Sequence, residues 1–308
     1  MDAVDERPLI ERRSVARAGL LETQARTVIE RVPAWAGIPQ RWGVSPYRGC
    51  VHACRGCGAR GAHRRLGLDA GRDFDARIVV KANAAVRLER ELVAWGGEEL
   101  AVGVAGDCYQ EAEARYRLMP AIVAAAGRAG VPLTVYTKSP LVVRDAGLLA
   151  RAGVRVAVSI GFVDERIRRE VEPGAVSAQA RLELVAALAE AGVAVHVLMG
   201  PVLPLLSDGA DQLEATVRRI AAAGAGGVWP VVLRLPAATR AGFTAWLAER
   251  HPGLVERYEQ VYDRAGMPAA GYEARIVAQI GALAAACGMA PVGGVRQGKT
   301  EPGQLALI

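Results

Sequence analysis

The stretch Ala191-Gly192-Val193-Ala194-Val195-His196-Val197-Leu198 contains the pattern that decides the fold of this chain. Its glycine follows an alanine-rich helical stretch and is placed to supply the left-handed cap at which helices often end. The valine-rich run after the glycine suits a strand that is buried on both faces. The same pattern recurs at Ala129-Gly130-Val131, Ala152-Gly153-Val154 and Ala225-Gly226-Gly227-Val228.

These repeats, with two similar runs before them, predict six strands that alternate with helices. The predicted strands are Arg41 to Tyr47, Glu99 to Val104, Leu133 to Tyr136, Val154 to Ile160, Val193 to Leu198 and Val228 to Leu233. Repeated strand–helix units predict an α/β fold with a parallel sheet and right-handed crossovers. Six units fit an open, partial (β/α)6 TIM-like barrel. A flat doubly wound sheet is the alternative, which the lack of a G-x-G-x-x-G after the first strand disfavours.

The regions outside the predicted barrel differ from it in composition. Residues 1–31 are polar and arginine-rich and predict a flexible, loosely held arm. The barrel is expected to span residues 32–250. A C-terminal helical extension follows over 251–290, and a flexible Gly- and Pro-rich tail is expected over 291–308.

Composition and charge limit the class of protein. Apolar residues make up 52% of the 308 residues and charged residues 23%, which is typical of a globular protein. The net charge of +6 permits a polyanionic partner, although single arginines on solvated helix faces account for it equally well. An acidic N-terminus is unlike a signal peptide, and the longest apolar run is too short and too interrupted to span a membrane. We therefore expect a cytoplasmic protein without a membrane partner.

Three cysteines form a compact C-x3-C-x2-C motif in Ser45-Pro46-Tyr47-Arg48-Gly49-Cys50-Val51-His52-Ala53-Cys54-Arg55-Gly56-Cys57. A [4Fe–4S] cluster normally takes four thiolates, so three would leave one iron open to a small molecule. A structural zinc ion would need a fourth ligand from His52, His63 or Cys108. An odd group of close cysteines without a secretion signal favours a metal over disulfides. A cluster, a zinc ion and inert thiols all remain open at this point.

Further candidates follow the other predicted strands, because working groups in parallel α/β folds lie at the carboxyl ends of strands. The second strand is followed by Gly106, Asp107 and Cys108, the third by Lys138 and the fourth ends at Ser159. Each has an ordinary structural explanation as well. A strand-end lysine can extend to water, a Gly-Asp pair can form a turn, and a lone cysteine is most often a buried inert thiol.

The chain also resembles a known family. The matching pieces are Ser45 to Cys50 with the three cysteines, Leu66-Gly67-Leu68, Asp73-Phe74, Val80-Lys81-Ala82-Asn83, Asp107-Cys108-Tyr109-Gln110, Tyr116 to Pro120 and Thr137-Lys138-Ser139. In this order they are similar to the radical S-adenosylmethionine (radical SAM) superfamily, in its spore-photoproduct-lyase-like branch, which includes uncharacterised bacterial members. One departure is that Gly56 and Gly58 stand where the family usually carries aromatic residues near the adenine of SAM.

The resemblance implies cofactors and residue roles. Cys50, Cys54 and Cys57 would hold a [4Fe–4S] cluster. Lys138 would bind the carboxylate of SAM, Gly106 and Asp107 its amino group, and Ser159 would also contact SAM. Arg181 and Glu172 match positions near the site. Cys108 would be the catalytic hydrogen-atom donor, as a cysteine near this strand end is in spore photoproduct lyases, or it is an inert core thiol.

The function implied is that of a radical SAM enzyme, of lyase or oxidoreductase type. It would cleave SAM to a 5′-deoxyadenosyl radical with an electron from an external donor, and would act on nucleic acid, with DNA as the candidate partner. The last residues, Gln304 to Ile308, resemble a short peptide that docks on the bacterial DNA sliding clamp. The alternative is a non-catalytic iron–sulfur or zinc protein that associates with DNA, which the two glycines of the motif favour.

Overall fold

The structure, a computed structural model, describes residues 10–15 and 18–291. The strands are β1 Ile10–Val15, β2 Ala18–Thr23, β3 Ile29–Arg31, β4 Trp42–Val44, β5 Tyr47–Arg48, β6 Arg77–Lys81, β7 Leu100–Val102, β8 Leu133–Thr137, β9 Arg155–Ser159, β10 Ala194–Val202, β11 Gly227–Val232 and β12 Ala290–Pro291.

The α-helices are α1 Gly61–Arg64, α2 Arg72–Ala76, α3 Ala84–Leu92, α4 Glu111–Tyr116, α5 Leu118–Arg128, α6 Ala146–Arg151, α7 Glu165–Val171, α8 Ala178–Glu190, α9 Ala210–Ala222, α10 Ala237–Arg250, α11 Val255–Val261 and α12 Ala270–Ala286. Short 3-10 helices lie at Ala34–Ala36, Gly58–Arg60, Pro140–Asp145 and Pro252–Leu254.

The main sheet has the order β12-β11-β10-β9-β8-β7-β4-β3. Strands β4 and β7 to β11 follow one another in parallel, as predicted, and each predicted strand overlaps one of them. At the edges, β12 pairs in parallel with β11 and β3 pairs antiparallel with β4. The predicted α/β partial barrel of six strand–helix units is confirmed, because a parallel strand order without closure leaves the barrel open.

The two faces of the sheet bury different residues. On the convex face, side chains such as Leu100, Val135 and Val156 pack with the helices in the main hydrophobic core. Burial of each such side chain contributes roughly 1.5–3 kcal/mol. On the concave face, Tyr136 and Ala157 lie in a small cluster that includes residues of the segment before β4. This lead-in segment therefore fills the middle of the barrel, and space for ligands remains at the carboxyl ends of the strands.

The predicted flexible arm over residues 1–31 is wrong for residues 18–31. Strand β2 pairs in parallel with β6 in a second sheet, which has the order β1-β2-β6-β5. Leu20 and Val28 are buried in the main core. The arginines of this region suggested a solvated chain, but the apolar residues between them are enough to anchor it to the barrel.

The C-terminal region packs into the barrel core and does not form a separate extension. Helix α12 buries Ile276 and Ile280 in the main core, and the chain then adds β12 to the edge of the barrel sheet. The residues on the two sides of the predicted boundary at residue 250 therefore pack into the same hydrophobic core. Most of the predicted tail, including Gln304 to Ile308, lies outside the described residues. Over 10–15 and 18–291, none of the helices has the length and apolar character needed to cross a bilayer.

Candidate active site

The cysteine loop follows β5 and crosses the open end of the barrel. Cys50 is buried and its N–H donates to the carbonyl of Phe74 at 3.0 Å. Cys54 and Cys57 are half-buried, and all three thiols are free. Between them Ala53 has a φ of +53°, a region that side chains other than glycine rarely adopt. Such strain persists only where surrounding contacts fix the backbone, and it is common at functional sites.

Two glycines allow neighbouring segments to lie directly on this loop. A Cβ atom on Gly106, after β7, would be 2.5 Å from the carbonyl oxygen of Gly49. A Cβ on Gly174, after α7, would be 2.0 Å from the carbonyl oxygen of Val51. The N–H of Gly174 also donates to the carbonyl of His52 at 3.1 Å. The loop is therefore held from both sides by backbone that only glycine can bring so close.

Asp107 connects the loop to two strands. Its Oδ1 accepts from the N–H of Tyr109 at 2.8 Å and from Thr137 Oγ1 at 2.7 Å. Its Oδ2 accepts from His52 Nε2 at 2.9 Å and from the N–H of Lys138 at 2.7 Å. Burial alone would raise the pKa of Asp107, but the hydrogen bond and charge of His52 and the other donors lower it. An ionised carboxylate offers about four acceptor sites, so protein donors already saturate Asp107.

This saturation revises the predicted role of Asp107. We predicted that it meets the amino group of SAM, yet its side chain has no acceptor left for a ligand. The structure instead makes it a positioning residue for the cysteine loop and for the end of β8. Gly106 lies against the loop as described above, and its predicted contact with SAM stays a prediction.

Gln110 and Arg60 also hold the loop, and the sequence did not predict this role for either residue. Gln110 donates through Nε2 to the carbonyl of Gly49 at 3.0 Å and accepts from the N–H of Val51 at 3.2 Å. The guanidinium of Arg60 donates to the carbonyl of Cys54 at 3.1 Å and forms a bidentate pair with Asp75 at 2.8 and 2.9 Å. Gln110 stands in the Asp-Cys-Tyr-Gln motif, which was the available signal; nothing in the sequence singled out Arg60.

Lys138, Ser159, Glu172 and Arg181 form one network near the carboxyl ends of β8 and β9, in which Lys138 is half-buried and the other three residues are buried. The Lys138 ammonium donates to Ser159 Oγ and lies 3.2 Å from Glu172 Oε1. Arg181 pairs with Glu172 at 2.8 Å and donates to the Ser159 carbonyl at 2.9 Å. Burial would raise the pKa of Glu172, but Arg181 and Lys138 lower it to about 2. The structure thus brings together Lys138 and Ser159, which the strand ends predicted, with Glu172 and Arg181, which the family resemblance placed near the site.

The network lies beside the thiols of the loop. Gly174, two residues after Glu172, donates its N–H to the carbonyl of His52 in the loop at 3.1 Å. Burial raises the pKa of Cys54, the charge of Glu172 raises it further and that of Lys138 lowers it. Burial also raises the pKa of Cys50 and of Cys57. The thiols are therefore protonated without a metal, and metal binding must displace their protons. That Lys138, Ser159 and Arg181 contact SAM stays a prediction.

The structure places Cys108, the predicted catalytic residue, in the core. Its side chain has no exposed surface and packs in the main core, and its thiol donates to the carbonyl of Tyr136 at 3.8 Å. Burial and the nearby carboxylates of Asp107 and Glu113 raise its pKa. This burial matches the alternative of an inert core thiol, and the catalytic role of Cys108 stays a prediction.

The donor set fits a cubane cluster better than a zinc ion. The three candidate fourth ligands are engaged elsewhere: His52 with Asp107, His63 with the carbonyl of Arg77 at 3.0 Å, and Cys108 in the core. Within 10–15 and 18–291, no three His, Cys, Asp or Glu side chains converge as they would around one metal ion. A cubane instead presents separate iron corners to separate thiolates. Three thiols and an adjacent ammonium therefore suit a cluster with one corner open.

Comparison with known proteins decides the family. The model of the radical SAM superfamily matches residues 44–220, which is more than half of the chain and includes the cysteine loop. The chain belongs to the radical SAM superfamily. It is an enzyme of the radical SAM class, whose cofactors are a [4Fe–4S] cluster and SAM, so the predicted family, enzyme class and cofactors are confirmed.

Relatives in sequence carry no assigned activity. Uncharacterized proteins of Mycobacterium bovis and Mycobacterium tuberculosis are 44% identical over 249 residues, which is 79% of this chain and 73% of theirs. An uncharacterized protein of Acidianus two-tailed virus is 26% identical over 219 residues, or 68% of this chain and 72% of its own length.

Solved structures of spore photoproduct lyase share the fold. A complex of that enzyme with dinucleoside spore photoproduct has a TM-score of 0.64 at 14% identity, over 86% of this chain and 78% of that one. A variant with bound AdoMet and the same dinucleoside has a TM-score of 0.57 at 15% identity, over 76% of this chain and 66% of that one. Identity this low shows the common fold alone.

In this radical SAM protein, Cys50, Cys54 and Cys57 are the residues that would hold the cluster. When bound, the cluster and SAM supply a carbon radical that abstracts a hydrogen atom. The chain supplies the shape of the site: Asp107, Gln110 and Arg60 fix the loop, and the apolar cluster around Tyr136 and Ala157 closes the barrel beneath it.

Proposed function

We propose that this radical SAM enzyme acts on a nucleic-acid substrate, in the manner of a photoproduct lyase. The observation that carries the proposal is the loop of three free thiols, which is hydrogen-bonded to Gly174, two residues after the Glu172 that pairs with Lys138. This arrangement leaves one cluster corner for SAM. Support for nucleic acid comes from the fold, which is that of an enzyme solved with a dinucleoside photoproduct, and from the net charge of +6.

Lys138 is positioned to receive an anionic group of SAM. Its ammonium lies within the barrel at the end of β8, where Glu172 and Ser159 hold it. A carboxylate of SAM would replace the neutral Ser159 hydroxyl with a stronger, charge-assisted bond. The dry concave wall around Tyr136 keeps water from the reacting atoms.

The positions of the cysteines bear on the source of the electron. The chain has five cysteines, three of them in the loop, and the other two are Cys108 in the core and Cys287 on the surface. Two separated cysteines cannot hold a second cluster of the usual four-thiolate type. We therefore propose an external one-electron donor. A reducing cytoplasmic location would suit both the free thiols and such a donor.

The test measures whether nucleic acid couples to SAM cleavage. Anaerobically reconstituted enzyme is given SAM and dithionite with ultraviolet-irradiated DNA, undamaged DNA, RNA or no nucleic acid. Methionine, 5′-deoxyadenosine and altered bases are quantified by mass spectrometry. We expect one nucleic acid to raise 5′-deoxyadenosine formation and to change chemically in the same stoichiometry. Equal SAM cleavage in all four mixtures, with no altered base, contradicts the proposal.

A matched pair of cysteine variants controls this experiment. Cys54→Ala removes a thiol of the loop, whereas Cys287→Ala removes an exposed thiol at the end of α12. Both variants lose one sulfur, so nonspecific iron binding or oxidation affects them equally. Coupled turnover should disappear in the first and persist in the second.

A further inference from the structure

A cavity of about 620 Å³ opens beside the cysteine loop, and Lys138 is not part of its lining. Its walls come from β3 and β4, from the residues that follow Cys57, and from the start of α10. We propose that this cavity binds a segment of single-stranded nucleic acid, with phosphates against its arginines and a base against Trp35. The inference deepens the proposed function and rests on it for the identity of the substrate class.

The cavity carries a strong excess of positive charge. Five of its lining residues are cationic and one is anionic, which gives the lining an excess of four positive charges. The anion, Glu30, pairs with Arg48 at 2.6 Å; burial would raise its pKa, but Arg48 and Lys81 lower it, so it is ionised. The cations are Arg26, Arg31, Arg48, Arg65 and Lys81.

Trp35 offers an aromatic surface between the cavity and the cysteine loop. Its ring lies so close to Gly58 that a Cβ atom there would be 2.4 Å from it. Because the residue after Cys57 is glycine, the indole of Trp35, which belongs to an earlier segment of the chain, has room to pack here. Trp35 also packs in one small cluster with Cys50, Cys57 and Ala59. A base held on Trp35 would consequently lie close to the cluster ligands.

A second tryptophan stands at the rim with a cation over it. The guanidinium of Arg31 lies 5.6 Å from the ring centre of Trp42, which itself contacts Trp95 edge-on at 5.6 Å. Arg31, Arg65 and Arg26 are exposed, so they can reach successive phosphates.

This combination of features distinguishes among anionic ligands. Cations that alternate with aromatic rings are the pattern by which proteins bind single strands, since phosphates follow the charges and bases stack on the rings. An acidic peptide would use the charges and leave the indoles unused. The volume lies in the range of roughly 300–1,000 Å³ that encloses ligands, which suits one or two nucleotides of a strand.

The test uses the salt dependence of binding. A fluorescent single-stranded 12-mer is titrated with reconstituted enzyme, without SAM, between 50 and 200 mM salt. On a single strand, each phosphate that the protein neutralises adds about 0.7 to the slope of log affinity against log salt. The triple variant Arg26→Ala, Arg31→Ala, Arg65→Ala should therefore lower the slope by about 2 and weaken binding at least tenfold.

A triple variant with the same change of charge serves as the control. Arg151→Ala, Arg166→Ala and Arg257→Ala remove three exposed arginines that do not line the cavity, and should leave the slope unchanged. Equally weakened binding in both triples would overturn the proposal, because binding would then reflect net charge alone. Competition by inorganic pyrophosphate as effective, mole for mole, as by the 12-mer would also overturn it in favour of a small anion.

Trp35→Leu tests the stacking contribution. We expect about tenfold weaker binding with an unchanged salt slope, because the variant removes the base–aromatic stacking and leaves the arginines in place. Unchanged affinity would overturn the placement of the base. An iron content equal to that of the parent shows that the cysteine loop of each variant still holds its cluster. Coupled turnover of nucleic acid by the parent enzyme, measured as described for the proposed function, separates the two failures. A parent enzyme that turns over nucleic acid but binds the 12-mer independently of the cavity arginines contradicts this proposal alone.

Discussion

The Nε2 atom of His52 lies 2.9 Å from Oδ2 of Asp107, and this buried contact joins the cysteine loop to the end of β7. Because the Asp107 carboxylate is ionised, the imidazole must donate. The same carboxylate accepts the N–H of Lys138, so one acid aligns the loop and the residue proposed to bind SAM. The spacing between cluster and SAM site is therefore fixed by a residue that need not touch either cofactor.

Asp107→Asn should loosen the loop. An amide replaces one acceptor oxygen with a donor. The change removes the acceptor either of His52 and the Lys138 N–H or of Thr137 and the Tyr109 N–H. Each unsatisfied buried donor costs roughly 1–3 kcal/mol. We expect faster loss of iron from reconstituted protein, followed by absorbance during incubation with a chelator. Asp211→Asn makes the same change on an exposed helix start and should retain iron normally. Equal iron loss in both variants would contradict the positioning role.

Glu172→Gln should destabilise the fold and remove part of its acid sensitivity. It leaves the buried cations Lys138 and Arg181 uncompensated, which typically costs about 3–5 kcal/mol. In the folded protein the pKa of Glu172 is lowered from 4.5 to about 2. Its contribution, about 3 kcal/mol, is thus present above pH 4.5 and lost as the pH falls towards 2.

Urea unfolding of the metal-free protein between pH 3 and 7 measures this contribution. The parent protein should lose stability more steeply below pH 4.5 than the Glu172→Gln variant does. Glu190→Gln, at an exposed helix end, should follow the parent within about 0.5 kcal/mol. Parallel curves for the parent and Glu172→Gln would show that the carboxylate is not held by its two cations.

Lys138→Met should weaken SAM binding while the cluster remains. Methionine keeps an unbranched side chain of similar length but removes the charge that the SAM carboxylate would meet. We expect SAM affinity, measured by titration of the reconstituted enzyme, to fall about 10- to 100-fold, in line with removal of one buried charge-assisted bond of roughly 1.5–3 kcal/mol. Iron content should stay near that of the parent. Unchanged SAM affinity would show that Lys138 pairs with Glu172 but does not bind SAM.

Gly58→Ala should displace Trp35. A methyl group there would be 2.4 Å from the indole, and such overpacking costs typically about 1–3 kcal/mol. We expect lower thermal stability and a changed tryptophan emission spectrum. Gly127→Ala meets no atom within 4 Å and lies in α5, so it should be neutral or stabilising. A stable Gly58→Ala variant with the parent spectrum would mean that the indole does not lie on this glycine.

The sequence predicted the barrel well because each repeat carries its own signals. A glycine that ends a helix and a valine-rich run that begins a strand are local features, and the order of parallel strands follows from their alternation with helices. The N-terminal strands were missed because Leu20 and Val28 are scattered among arginines, and their burial depends on β6 and α3, which lie far along the chain.

The site was predictable where residues follow strand ends and was obscure where distant segments meet. Lys138 and Ser159 were identified from their strand ends and Glu172 and Arg181 from the family resemblance, and the structure joins all four. The saturation of Asp107 could not be predicted, because its donors come from three separate segments. Cys108 was left as either a catalytic group or a core thiol, because position after a strand does not reveal the face on which a side chain lies. Trp35 gave no signal, since its neighbour Gly58 is distant in sequence.

The most direct measurement of the central claim is the fate of SAM on anaerobically reconstituted protein, together with its iron content. The account predicts about four irons per chain and formation of methionine and 5′-deoxyadenosine after reduction with dithionite. Both should be lost when Cys50, Cys54 and Cys57 are replaced by alanine and kept in Cys287→Ala. A triple alanine variant that retains iron and cleaves SAM like the parent would contradict it.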